Sequence, residues 1–195
     1  MNLPPPRPAV ESGAARGRYP AELERVWEAP GAPPVTIRAL RPDDIDREER
    51  FVAGLSPQTL YLRLQYVTSQ ATRRDLERLL DVDYYDRLAV GAFVRNGAAD
   101  DIIGVSRYAR IDDTSRAECA IVVADDWHGR GVGTELMRTL IEAALARDIT
   151  CLEGSTLPEN LRTASWARRF GFGVRTEPNS GGLVKVTIDL GTLAG

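Results

Sequence analysis

Three glycines spaced two residues apart, Gly129, Gly131 and Gly133, stand between the apolar run RAECAIVVA and a strongly amphipathic segment. Glycine has no Cβ, so its backbone can turn left-handed and let a bound group come close. Where such glycines open a helix, backbone N–H groups and the positive end of the helix dipole converge on one point. The chemistry this arrangement suits is the holding of an anion, a diphosphate above all, with Arg130 adding a positive charge and Val132 and Thr134 carrying the loop into the helix. Two nucleotide loops fail at named residues. A Walker loop ends in Gly-Lys-Ser/Thr, whereas Gly133 is followed by Thr134 and Glu135, and the dinucleotide fingerprint needs a third glycine where Thr134 or Leu136 stands. A plain strand-to-helix turn would show the same glycines, so the loop has to be judged by its surroundings.

Other chemistries find little support. Cys119 and Cys151 fall on separate predicted strands, and together with the single histidine, His128, they cannot form a zinc-ligand spacing. No metal site is expected, and both thiols read as buried and reduced. His128 has no serine or cysteine nucleophile beside it in the sequence, which argues against a Ser-His-Asp or Cys-His hydrolase. Lys plus Arg number 25 against 28 Asp plus Glu, a net charge of −3, so no bulk attraction to nucleic acid or anionic lipid is expected. No apolar run approaches the roughly 18 residues of a membrane span, and MNLPPPRPAV lacks the features of a signal peptide. A cytoplasmic protein follows from these features as an expectation.

The elements that must position the loop are legible from periodicity and turn residues. A chain of 195 residues, 43% hydrophobic and 27% charged, fits one globular domain. Residues 1–18, rich in Pro, Ala, Gly and Arg, read as a flexible leader, and 19–195 as the folded domain. LERVWEA and VTIRALR suggest two strands, followed by helix starts at Pro42, at Ser56-Pro57 and at the Thr72/Asp75 box. RLAVGAFVRN, IIGVSRYARI and RAECAIVVA are separated only by turn signals and predict an antiparallel meander. The segment after the glycine loop is the clearest helix, with Val132, Leu136, Met137, Leu140, Ile141, Ala144 and Leu145 on one side and Glu135, Arg138 and Glu142 pointing away. TCLEGSTL then reads as a strand, NLRTASWARRF as a helix closed by Gly171, and FGVRTE and LVKVTIDL as final strands around PNSGG. The sum is a mixed α/β domain built around a strand, loop, helix, strand unit.

The sequence HGRGVG resembles the acetyl-CoA loop of the GCN5-related N-acetyltransferases (GNAT), with His128 where that family carries Gln or Arg. PENLRTASWARRFGF resembles the family's second motif, with Asn160, Gly171 and Phe172 matching and Ala167 where many members have a tyrosine acid. From about Tyr19 to Leu190 the chain is similar to the acetyltransferase domain of bacterial protein lysine acetyltransferases. Those proteins often join this domain to an acyl-CoA-synthetase-like or nucleotide-sensing domain, and 195 residues leave no room for either. The resemblance implies a GNAT-like, mostly antiparallel twisted sheet flanked by helices, acetyl-CoA as cosubstrate, a protein lysine as acceptor and an acyl-CoA synthetase as a candidate partner. It implies Glu118 as the base, backbone groups of Ile121, Val122 and Val123 along the pantetheine arm, the loop His128 to Thr134 around the phosphates, and Asn160 near the arm.

The implied reaction makes physical demands. A lysine has an ordinary pKa of about 10.4, so freeing its amine at pH 7 costs about 4.6 kcal/mol and direct attack on a thioester needs a base. Glu118 lies in an otherwise apolar strand, where desolvation raises a carboxylate's pKa toward the useful range. The opposing interpretation is a carboxylate paired with Arg107 or Arg116. Arg168 and Arg169 could serve a ribose phosphate or simply the helix dipole, and Trp127 and Trp166 read as packing residues. Two other functions compete with protein lysine acetylation: acetylation of a small-molecule amine, and a CoA-binding regulatory module without catalysis.

Overall fold

The central apolar runs pair as the turns between them require. In the computed structural model, which describes residues 17–28, 31–64, 72–97, 99–176 and 182–193, β3 (Arg87–Asn96), β4 (Ala99–Arg110) and β5 (Arg116–Val123) form the expected antiparallel meander. β4 starts earlier than the sequence suggests, because Ala99, Asp100 and Asp101 pair with Asn96, Arg95 and Val94. The expected leader, up to residue 16, and most of the PNSGG turn lie outside the described residues.

β3 is buried from Leu88 to Phe93 because both faces of the sheet are covered, and a strand covered on both sides shows no alternation. On one face Leu88, Val90, Ala92 and Ile103 join Val132, Leu136 and Leu140 of α4 (Val132–Leu145) in the larger core. On the other, Ala89, Phe93 and Val105 meet Leu40, Leu55, Leu80 and Phe51 of α1 (Ile45–Ala53). α2 (Pro57–Leu64) adds Leu60 to that side, and α3 (Arg73–Leu79) runs into Leu80. Gly91 is fixed by this packing: a Cβ there would come within 2.7 Å of the Phe93 ring, which also carries the Arg38 guanidinium 3.9 Å from its centre.

With β1 (Arg25–Trp27), β2 (Val35–Ala39), β6 (Cys151–Thr156), β7 (Gly173–Thr176) and β8 (Val184–Asp189), the strands form one eight-stranded sheet in the order β1-β2-β3-β4-β5-β6-β8-β7. Every neighbouring pair is antiparallel except β5 and β6, which α4 connects. That parallel pairing covers only Arg116↔Cys151, Ala117↔Leu152 and Glu118↔Glu153. β5 then continues to Val123 without β6, while β6 stays paired with β8 as far as Thr156↔Val184.

The helix ends follow their sequence signals. Ser56 Oγ accepts from the Thr59 amide, Thr72 and Asp75 form a reciprocal box at α3, and Asn160 caps α5 (Leu161–Phe170), which Gly171 closes at φ 112°. The amphipathic reading of α4 needs two corrections. Leu145 is 37% exposed, because it shares the outer face of the helix with Arg138 and Glu142 at helical spacing. Glu135, on that same face, is instead buried at 9%, because Arg25 of β1 covers it. Arg25 donates to Glu135 Oε1 from Nε and Nη2 at 3.1 and 2.9 Å, to Thr139 at 2.6 Å and to Glu142 at 2.7 Å.

This orientation of α4 is measurable. Leu136→Ala should lower the free energy of unfolding by about 2–5 kcal/mol in a denaturant titration, as expected for truncation of a fully buried leucine. Leu145→Ala should stay within about 0.5 kcal/mol of wild type. Equal losses at the two positions would show that the outer face has been misassigned.

Candidate active site

The parting of β5 from β6 creates the site. Past Glu118 the edge of β5 that faces β6 has no strand partner among the described residues, so its backbone groups open into the fork. Ile121, Val122 and Val123 lie along this free stretch. Ile121 and Val123 pack toward α4, while Val122 faces the other core. Glu118 sits at the apex of the fork, directly across from Glu153.

Neither arginine suggested as a partner for Glu118 takes that role. Arg107 donates to Glu48 Oε1 at 2.5 Å and to the Leu79 carbonyl at 3.1 Å, tying β4 to α1 and α3. Arg116 instead binds Glu153. Among the described residues Glu118 forms no ion pair, and burial of its carboxyl pushes its pKa up, with Glu153 adding to the rise and Arg63 opposing it. Burial alone would also raise Glu153, but hydrogen bonds from Arg116 and Lys185 hold it below the ordinary carboxylate range. Lys185 Nζ lies 3.3 Å from Glu153 Oε1. Two acids across one strand pair are thus driven in opposite directions, the pattern that separates a proton acceptor from a permanent anion.

A cavity of about 280 Å³ opens at the fork, lined by Ile111, Glu118, Glu153, Gly154, Ser155, Leu183 and Lys185. Behind Glu118 lies a second charged group. Glu48 is 1% exposed, and its Oε2 has no hydrogen-bond partner among the described residues. Arg63 of α2 feels both Glu48 and Glu118, and burial together with Arg107 lowers it to about 10, so it remains a cation at neutral pH. The sequence reading missed Glu153, Arg63 and Glu48. Glu153 had a usable signal, an acid within the strand CLEGST as Glu118 is within AECAIVVA; the others had none, since helix α2 gives Arg63 and α1 gives Glu48 only through tertiary packing.

At the open end of the fork stands the glycine loop. After the 3-10 turn Asp125–Trp127, Gly129 takes φ 75° and Gly131, the residue before α4, takes φ 90°. No side chain among the described residues caps this end of α4, which leaves first-turn amides available to an anion. A Cβ on Gly131 would meet the Trp27 ring at 3.3 Å, and one on Gly133 would lie 3.6 Å from Ile121 and Val123, so the loop, the helix start and the free edge of β5 form one surface. The side chains around it are engaged with one another. His128 Nδ1 accepts from Arg162 of α5 at 2.8 Å, Thr134 Oγ1 accepts from Trp166 at 3.2 Å, and the Arg130 guanidinium lies 5.3 Å from the Trp127 ring centre. Asn160 is buried and uses Oδ1 to cap α5. Backbone amides, rather than these side chains, are therefore the groups that the loop presents.

Two further contacts brace the site. Asp125 accepts from the Ser56 amide and from the hydroxyls of Ser56 and Thr59 at 2.7–3.0 Å, which lowers its pKa to about 2 and fastens the start of α2 to the loop. Tyr61 of α2 donates to Glu159 at 2.9 Å, joining α2 to the segment before α5. No helix among the described residues is long and apolar enough to cross a membrane, and no three His, Cys, Asp or Glu side chains among them group as a metal would require.

Comparison with known proteins agrees with this geometry. The sequence profile of the Acetyltransferase (GNAT) family matches residues 60–172, more than half of the chain. Over 110 residues the chain is 38% identical to the Acetyltransferase PA5475 of Pseudomonas aeruginosa, a stretch covering 56% of this chain and 59% of that protein. Over 136 residues it is 32% identical to the Acetyltransferase Pat of Mycolicibacterium smegmatis, covering 69% of this chain and 40% of that one. The chain therefore spans less than two thirds of either relative. The crystal structure of the GNAT domain of S. lividans PAT superposes with a TM-score of 0.81 at 25% identity, over 89% of this chain and 100% of that domain. A sheet forked beside an uncapped, glycine-led helix, with a family profile spanning that unit, makes this chain a member of the GNAT acetyltransferase family.

Proposed function

We propose that this chain transfers the acetyl group of acetyl-CoA directly to the side-chain amine of a protein lysine, with Glu118 as general base. The observation that carries this is the state of Glu118: at the apex of the fork, lining the cavity, without an ion pair among the described residues and with its pKa raised by burial. A carboxylate whose pKa is raised by burial holds a proton more readily than an ordinary one, which suits it to the role of base. Glu153, held ionised by Arg116 and Lys185, adds a fixed negative charge suited to an incoming ammonium.

The cosubstrate has a natural path past these groups. The amides at Gly129 to Gly133 receive the pyrophosphate, with Arg130 at the rim, and the pantetheine arm runs along the free backbone edge at Ile121, Val122 and Val123. Amides of that edge donate to the thioester carbonyl and stabilise the oxyanion as the amine attacks. Glu118 takes the proton from the attacking nitrogen, directly or through a water. Ala167 offers no acid to the departing thiol, but a thiol of ordinary pKa about 8.5 leaves as a moderately stable thiolate. His128 and Asn160 act by shaping the loop and the start of α5, since their side chains are occupied by Arg162 and by the cap. The protein acceptor is supported by the likeness to the bacterial protein lysine acetyltransferases, including the match to Pat.

Glu118→Gln should lower kcat/KM at least about a hundredfold, within the usual contribution of a general base, while leaving the calorimetric affinity for acetyl-CoA unchanged. The acidic limb of the wild-type pH profile should lie above the ordinary carboxylate range, because a raised pKa means the base is lost to protonation at a higher pH. An unaltered rate in the variant would leave a CoA-binding module without this catalysis. Labelled acetyl-CoA that yields only a low-mass product, with no protein labelled, would replace the protein acceptor by a small amine.

Gly131→Glu should weaken acetyl-CoA binding at least about tenfold in the same calorimetric assay. The variant forces a side chain onto φ 90°, crowds Trp27 and brings a negative charge to the anion site. Unchanged affinity would remove the loop from the binding surface.

A further inference from the structure

Of the 25 basic side chains in the sequence, only Lys185 is a lysine; all the others are arginine. That single lysine lines the cavity that also holds Glu118 and Glu153. Its strand, β8, pairs with β6 so that Lys185 stands opposite Ser155, another cavity residue. Its Nζ leans 3.3 Å from Glu153, and Glu153 is the direct neighbour of Glu118 across β5 and β6. Lys185 stands two residues along from the Glu118–Glu153–Thr187 row, so with strands about 4.8 Å apart and about 3.3 Å per residue its backbone is about 12 Å from that of Glu118, a gap that the lysine and glutamate side chains span together. If the ion pair with Glu153 were the whole purpose of the position, arginine would serve and would bind the carboxylate in two places. What lysine offers and arginine does not is an amine that can give up its proton and become a nucleophile.

We propose that Lys185 is itself an acetyl acceptor, modified on Nζ by the chain's own site. This inference rests on the cavity at Glu118 being the acceptor side of an acetyl-CoA-dependent transferase. In the step, Nζ of Lys185 loses a proton to the Glu118 carboxylate and attacks the thioester carbonyl carbon. The C–N bond forms, the C–S bond breaks, CoA leaves as the thiolate, the nitrogen gives its remaining extra proton to that thiolate or to solvent, and Glu118 returns the first proton to solvent. The product is a neutral amide lying in the cavity. It removes one of the cations that holds Glu153 ionised, leaving Arg116, and it fills space that an external lysine would need. Self-modification therefore acts as a brake on transfer to other acceptors.

The test uses the purified full chain with acetyl-CoA, followed by intact-mass analysis and peptide mapping, with transfer to an external lysine peptide measured in parallel. The expected result is the addition of one acetyl group, mapped to Lys185 in the wild-type protein, slowed at least about a hundredfold in Glu118→Gln and missing in Lys185→Arg. Direct mapping in the wild type keeps the result independent of how the variants fold. The inference is overturned if Lys185 remains unmodified while the peptide is acetylated, an outcome that leaves the transferase proposal standing. It is also overturned if the acetyl group maps only to the chain's α-amine, or if Lys185 is acetylated equally fast in Glu118→Gln, which would indicate uncatalysed reaction with the thioester. Failure to bind acetyl-CoA or to acetylate any amine would remove both proposals together.

Discussion

A backbone amide or carbonyl removed from water needs a partner, and the inner edge of β5 beyond Glu118 has no strand neighbour among the described residues. This is the constraint around which the molecule is arranged. β6 does not follow β5 past Glu153, and it is held in place by its pairing with β8 through Thr156. β5 cannot move toward it, because its other edge is in register with β4 as far as Val123↔Gly104. The fork is thus maintained from both sides, and it ends where the glycine loop turns into α4. An extended ligand with hydrogen-bonding groups along one side and phosphates at one end suits both features together.

The charges near the apex are divided by their neighbours rather than by residue type. Three glutamates lie close to this part of the sheet, each in a different electrostatic setting. Glu153 is held anionic by Arg116 and Lys185, Glu48 is locked to Arg107 beneath the helices, and Glu118 is left in a desolvated position with its pKa raised. Arg107 and Arg116 are alike in sequence, and both flank Glu118 in the sheet, yet each is satisfied by another acid. Burial of two carboxylates around one cationic layer, Arg63 and Arg107, also explains how charged side chains can occur between α1, α2 and β4 at all.

The loop is held by contacts from distant parts of the chain. Asp125 binds the start of α2, His128 meets Arg162 of α5, and Trp27 of β1 packs against Gly131. Arg25, two residues before Trp27, fastens the same strand to the outer face of α4. The first strand of the sheet thereby reaches the helix that begins at the glycine loop, and movement of α4 would disturb β1, α2 and α5 together.

The sequence by itself determined the elements and the glycine loop, because these depend on local properties: apolar periodicity, proline and glycine at turns, and caps such as Ser56, Thr72 and Asn160. The strands of the meander, the long helix α4 and its glycine-led start were legible for that reason, as was the likeness to the GNAT family. The tertiary structure decided what periodicity cannot express. It set the point at which β5 and β6 part, the partners of Arg107 and Arg116, the burial of Glu135 under Arg25 and the exposure of Leu145. Each of these depends on residues far apart in the chain meeting in one place, and a carboxylate's ionisation follows from what surrounds it in space rather than from its neighbours in sequence.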